Sequence, residues 1–142
     1  MVRLDARHVA LRLERESKED AIRRVGQMLV DLGHVEPPYV DSMLAREAST
    51  STYIGNGIAI PHGMPDATAY IRTSGIVVAQ YPNGVDFGGE EAFLVIGIAG
   101  KGEEHMELLS QIATVCMDEA NVARLVRASS AEEMAAILES AS

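Results

Sequence analysis

Three residues of this sequence combine a reactive side chain with a position where it could be used: His62, His105 and Arg46. His62 follows Gly57-Ile58-Ala59-Ile60-Pro61 and precedes Gly63. The apolar residues read as the end of a buried strand. Pro61 has no N–H with which to extend a ladder, and Gly63 allows a turn without a side chain in the way. A histidine ejected there is held from below and open from above, as befits a group that takes something up and passes it on. The plainer alternative is a turn that happens to contain a histidine. His105 follows a second buried run through Gly100-Lys101-Gly102 and falls in the first turn of a helix. A helix N-terminus disfavours an imidazolium and favours a nearby anion, so a neutral ring there can donate a hydrogen bond to a phosphoryl oxygen. Taken alone it reads more readily as a solvated loop histidine. Arg46, at a helix end before the His62 strand, offers a planar guanidinium to a phosphoryl group. By spacing alone it is an ordinary cation at a helix C-terminus. Two histidines at strand exits favour the functional reading, because α/β domains gather their sites at such edges.

The elements that must position these groups follow from periodicity. Val9, Leu11 and Leu13 alternate over His8–Leu13 and predict a short strand with all three on one side. Ser17 is an N-cap for a helix whose apolar residues run from Ala21 to Leu32, with Gly33 just past its end. Pro37-Pro38 open a second helix, buried through Tyr39, Val40, Met43 and Leu44, ending near Arg46-Glu47. Tyr53–Gly57 reads as a turn or bulge, and Gly63–Thr73 as irregular or weakly helical. Gly75–Tyr81 predicts a strand stopped by Pro82-Asn83-Gly84, with Val85–Phe87 a short extended piece. Ala92–Ala99 is continuously apolar and predicts a central strand covered on both faces. Three helices should follow: one carrying His105 and Met106, one capped by Asp118 or Asn121, one opened by Ser129 or Ser130 with Glu133. Strands interspersed with amphipathic helices imply an α/β class, a single domain over residues 1–142 with helices packed on a sheet.

Composition narrows the function classes. No apolar run approaches the ~20 residues that cross a bilayer, and Met1–Arg7 lacks the apolar centre of a leader, so a soluble cytoplasmic protein without membrane insertion is expected. A net charge of −9 argues against nucleic acid as a partner. The single Cys116 reads as buried, and no cysteine cluster suggests zinc. No metal or other cofactor is expected. Gly100-Lys101-Gly102 is too short for a P-loop, so any phosphoryl donor should be another protein rather than ATP. His8 and His34 have no partners at a recognisable spacing, and the seven methionines read as core.

Three stretches resemble the enzyme IIA component of the bacterial sugar phosphotransferase system, mannitol–fructose class. They are Gly57–Gly63, Tyr81–Gly88 and Ile96–His105, the last two most like the mannitol branch; Met43–Glu47 followed by Tyr53-Ile54-Gly55 is similar to that branch too. The resemblance covers nearly the whole chain. It implies a mixed β-sheet with helices on both sides. It further implies that His62 accepts a phosphoryl group from the phosphocarrier protein HPr and passes it to a cysteine of a IIB component, for uptake and phosphorylation of mannitol. A nitrogen-type regulatory IIA protein or a fructose-specific IIA are the alternatives. His105 and Arg46 fall on the family's second active-site histidine and its arginine, with charge stabilisation shared by backbone N–H groups near the glycines. The family suggests Nε2 as the phosphorylated nitrogen. Ile54, Gly55, Ile58, Gly63 and Met64 are expected at the rim that partners meet; Met64 stands where mannitol-type members often have threonine.

Overall fold

In the computed structural model, which describes residues 4–139, apolar residues on the two long strands sort by parity, except at Ala92 beside the bulge. Strand β4 is Gly75–Asp86 and β5 is Glu91–Ala99. Val77, Ala79, Tyr81, Val95 and Ala99 face one way, against helices α1 (Lys18–Asp31) and α2 (Pro38–Ser49). Ile76, Val78, Leu94, Ile96 and Ile98 face the other, against α3 (Glu104–Cys116), α4 (Glu119–Arg127) and α5 (Ala131–Glu139). The continuous apolar run is thus two period-2 patterns superposed, each with its own helical cover.

With β1 (Val9–Ala10), β2 (Tyr53–Gly55) and β3 (Ile58–Ala59), the sheet has the order β1-β4-β5-β3-β2. β4 and β5 are antiparallel, β1 runs parallel to β4, β3 parallel to β5, and β2 antiparallel to β3. The expected mixed α/β sheet with helices on both faces is the fold observed. No helix of the described residues is long and apolar enough to cross a membrane. Residues 1–3, part of the stretch read for a leader, and residues 140–142, the end of the expected domain, lie outside the described residues.

Capping chemistry sets several boundaries as expected. Ser17 accepts from the Asp20 N–H, Asp118 from Ala120, and Ser130 from Glu133. Gly33 leaves α1 at φ +81°.

Four expectations need correction. Over His8–Leu13 the strand has only two residues, because His8 belongs to a 3-10 turn and Arg12 takes φ +52°. That reversal leaves Val9 and Leu11 on the α3 side and sends Leu13 to the α1 side. Pro82-Asn83-Gly84 does not stop β4. It forms a bulge between Gln80 and Val85, where Pro82 and Asn83 are exposed and need no ladder partner; the hairpin turns instead at Gly88-Gly89. His8 and His34 are not solitary: their Nε2 atoms lie 3.1 Å apart, with Asp5 on His8 Nδ1 and Thr73 on His34 Nδ1. Finally, Met106 and Met117 are 62% and 77% exposed, so those two methionines lie outside the core.

The close approach of α1 to β5 depends on Gly97. A Cβ there would meet Val25 Cβ at 2.9 Å and Val77 Cγ2 at 3.0 Å, both on stiff β-branched side chains. Gly97→Ala should therefore destabilise the fold by about 1–3 kcal/mol through overpacking. A urea titration should show a lower midpoint; an unchanged midpoint would mean that α1 can retreat without loss.

Candidate active site

β3 and β5 run parallel; β3 ends at Ala59 opposite Val95, β5 runs on to Ala99, and both chains turn out of the sheet at that edge. After Ala59 the first chain continues through Pro61, whose carbonyl accepts from the Ile98 N–H at 3.0 Å, so that His62 forms an isolated bridge beside Ile98. At the end of β5, Gly100 lies so close to α3 that a Cβ would stand 2.3 Å from His105 Cα. Only glycine permits that approach, and it sets His105 into the first turn of α3. Ser74 latches the turn: its Oγ accepts from the Lys101 N–H at 2.9 Å and donates to Glu104 Oε1 at 2.8 Å. The rings of His62 and His105 meet with centroids 5.2 Å apart and planes inclined by 59°.

α2 contributes the third group. It runs two residues past the expected end, to Ser49, because its last turn is stabilised by its own side chains. Arg46 Nη1 donates to the Thr50 carbonyl at 2.6 Å. Glu47, buried, accepts from the Thr52 N–H and hydroxyl at 2.9 and 2.6 Å, tying the Ser/Thr-rich loop to the helix. Arg46, His62 and His105 all line one cavity of about 290 Å3, walled further by Tyr39, Gly63, Met64, Pro65, Thr68, Ile71, Gly100 and Gly102.

His62 Nδ1 is 2.8 Å from the carbonyl oxygen of Ile60. A carbonyl can only accept, so Nδ1 carries the proton and, in the neutral ring, Nε2 is left with a free lone pair. Burial pushes the pKa of His62 below its ordinary value, and the neighbouring His105 and Arg46 push the same way; the Ile60 hydrogen bond and Glu47 oppose them. Burial also lowers His105. Both rings are therefore neutral near pH 7. The arrangement is a bare imidazole nitrogen, a second neutral imidazole and a guanidinium around one partly open space, with the means to accept and neutralise an anionic group.

Of the expected rim, Gly63 and Met64 line this cavity, whereas Ile54, Gly55 and Ile58 do not. Ile58 is fully buried, paired with Leu94 inside the ladder and packed among residues of the α3 side, so it is core. Ile54 and Gly55 belong to the edge strand β2, where Ile54 is 43% exposed. The backbone N–H of Gly63 is already bonded to the Tyr39 hydroxyl and that of Met64 to Ser42 Oγ, at 2.9 and 2.8 Å, so neither is free to meet a phosphoryl oxygen. Tyr39 and Ser42 went unrecognised as neighbours of the site. A tyrosine on a buried helical face signals a hydroxyl that needs a partner, but nothing local names that partner. Among the described residues, no three or more His, Cys, Asp or Glu side chains converge to hold a metal ion.

Known proteins share this arrangement of elements. The NMR structure of the complex of enzyme IIA-mannitol and phosphorylated enzyme IIB-mannitol from Escherichia coli matches with a TM-score of 0.92 and 39% identity, covering 98% of this chain and 99% of the other. The crystal structure of IIA mannitol from Escherichia coli matches with a TM-score of 0.89 and 41% identity, over 96% of this chain and 99% of that one. The mannitol-specific phosphotransferase enzyme IIA component of Geobacillus stearothermophilus is 50% identical over 136 residues, 95% of this chain and 94% of its own length. The family model described as phosphoenolpyruvate-dependent sugar phosphotransferase system, EIIA 2, matches residues 3–141, both strand exits and α2 included, and the chain belongs to that family.

Proposed function

We propose that this protein is the phosphoryl carrier of a mannitol phosphotransferase system. His62 Nε2 takes a phosphoryl group from the phosphohistidine of HPr and gives it to a cysteine of the IIB component. The observation that carries this reading is the hydrogen bond from Nδ1–H to the Ile60 carbonyl, which leaves Nε2 as the basic nitrogen. Half of the residues are shared with a mannitol-specific IIA component, which supports mannitol as the sugar. A relative in complex with phosphorylated IIB supports the acceptor. Receiving phosphate from HPr implies a cytoplasmic location.

In the first step the Nε2 lone pair forms a bond to phosphorus as the donor's N–P bond breaks, the bonding pair returning to the donor ring. No proton need leave His62, because Nδ1–H stays on the Ile60 carbonyl. The ring gains positive character on phosphorylation, and that bond then becomes charge-assisted. In the second step a thiolate sulfur attacks phosphorus, and the Nε2–P electron pair returns to His62. Catalysis of such a transfer is mostly positioning and charge stabilisation. Arg46 balances the phosphoryl oxygens as a cation, and neutral His105 donates a hydrogen bond to one of them. The cavity's apolar walls at Met64, Pro65 and Ile71 suit transient contact with two successive partners.

Incubation with phosphorylated HPr should give acid-labile phosphate on the wild-type protein and none on His62→Ala; a labelled His62→Ala variant would contradict the assignment. Arg46→Ala should slow acceptance by about a hundredfold, the usual cost of removing one charge-stabilising donor. His105→Ala should also slow it with an unchanged circular dichroism spectrum, since a strand-exit ring adds little to the core. Restored mannitol phosphorylation in a mixture with cognate IIB and IIC tests the sugar, and its absence would favour a regulatory role. An NMR titration should place the His62 midpoint below about 6.5, the ordinary value for histidine. The nucleophile is then neutral throughout the neutral range and lost only as pH falls through that lower midpoint; a midpoint above the ordinary value would contradict the effect of burial.

A further inference from the structure

A side chain from α2 enters the bridge between His62 and Ile98. In a parallel ladder, a rung from Ile98 N–H to the Pro61 carbonyl should be followed by one from Gly63 N–H to the Ile98 carbonyl. The first rung is present at 3.0 Å. The two groups of that next rung both bond the hydroxyl of Tyr39, which sits between them: it accepts from Gly63 N–H at 2.9 Å and donates to the Ile98 carbonyl at 2.9 Å. The tyrosine is 2% exposed, and a Cβ on Gly63 would strike its ring at 2.6 Å, so glycine is what lets the hydroxyl in. One turn further along α2, Ser42 Oγ holds the next N–H, that of Met64. Tyr39, Ser42 and Arg46 stand at i, i+3 and i+7, on one face of the helix.

We propose that Tyr39 is a positioning residue for phosphoryl transfer: its hydroxyl is wedged between the two strand exits and holds the His62 ring in the one orientation that keeps Nδ1–H on Ile60 and Nε2 towards the cavity. The inference rests on the function proposed above. Burial raises the pKa of Tyr39, so the hydroxyl keeps the proton that it donates to Ile98. Without the hydroxyl, Gly63 N–H and the Ile98 carbonyl either lose their partner in a buried place or close directly into a rung. The first loosens the turn and the second draws Gly63 towards β5. Either change rotates the adjacent His62.

Tyr39→Phe removes one oxygen and keeps the ring, and a cooperative melt would verify that it folds. Its single-turnover acceptance from phosphorylated HPr should fall about tenfold, in the range expected for sub-ångström misplacement. The HPr concentration giving half-maximal rate should stay unchanged, because the docking surface is untouched. In nitrogen-resolved imidazole NMR, the wild-type His62 should show a single Nδ1–H tautomer and the variant a mixture. Should Tyr39→Phe fail to fold, Gly63→Ala, which pushes the same ring from the other side, should give the same two signatures. Acceptance within twofold of wild type, or a slower rate with the wild-type imidazole spectrum, would overturn the proposal. If wild type itself takes no phosphate from HPr, the function proposed above fails, while the imidazole spectra of the two proteins still decide the role of Tyr39.

Discussion

The hydrogen bond from His62 Nδ1–H to the Ile60 carbonyl, two residues back along the chain, is the constraint on which the site depends. Its local nature matters. The proton is held by a carbonyl of the ring's own strand rather than by a distant acidic partner, and the turn that keeps the ring there is itself bonded to the Tyr39 hydroxyl. A carboxylate in that place would raise the basicity of the ring and tend to protonate it. A carbonyl fixes the proton with less effect on charge, and burial then keeps the ring neutral. The group that results is nucleophilic yet weakly basic, which suits an acceptor that must later become a leaving group.

The rest of the fold brings an electrostatic environment to that nitrogen from three directions. β3 delivers His62, β5 and the Gly100 turn deliver His105, and α2 delivers Arg46. The two chains run alongside each other until His62 lies beside Ile98, and α2 packs on the same face as α1 with Tyr39, Ser42 and Arg46 turned to that edge. A mobile phosphoryl group needs strong but brief stabilisation. In the function proposed above, a cavity lined by one cation and two neutral rings would supply it without the deep enclosure that would exclude a protein partner.

Much of this was legible in the sequence, for physical reasons. Ala92–Ala99 announced a strand covered on both faces, and that strand is the centre of the sheet. His62 and His105 were placed at strand exits by the proline and glycines around them, and Arg46 in the last turn of a helix by its periodicity. What could not be read depends on contacts across the fold. Ile58 resembles a rim residue because it is near His62 in sequence, but it pairs with Leu94 inside the sheet and is fully buried. Pro82-Asn83-Gly84 resembles a stop because breakers end most strands, yet a bulge accommodates them when the partner strand continues. His8 and His34 meet only because β1 joins the far edge of the sheet next to the end of α1. The Tyr39 hydroxyl likewise finds its partners across two chain segments distant in sequence.

The most direct test of the central claim is a phosphorus-to-nitrogen NMR correlation on the phosphorylated, nitrogen-labelled protein. The account predicts phosphorus coupled to Nε2 of His62 while Nδ1 of the same ring still bears its proton. Phosphorus coupled to Nδ1, or to a ring nitrogen of His105, would contradict it.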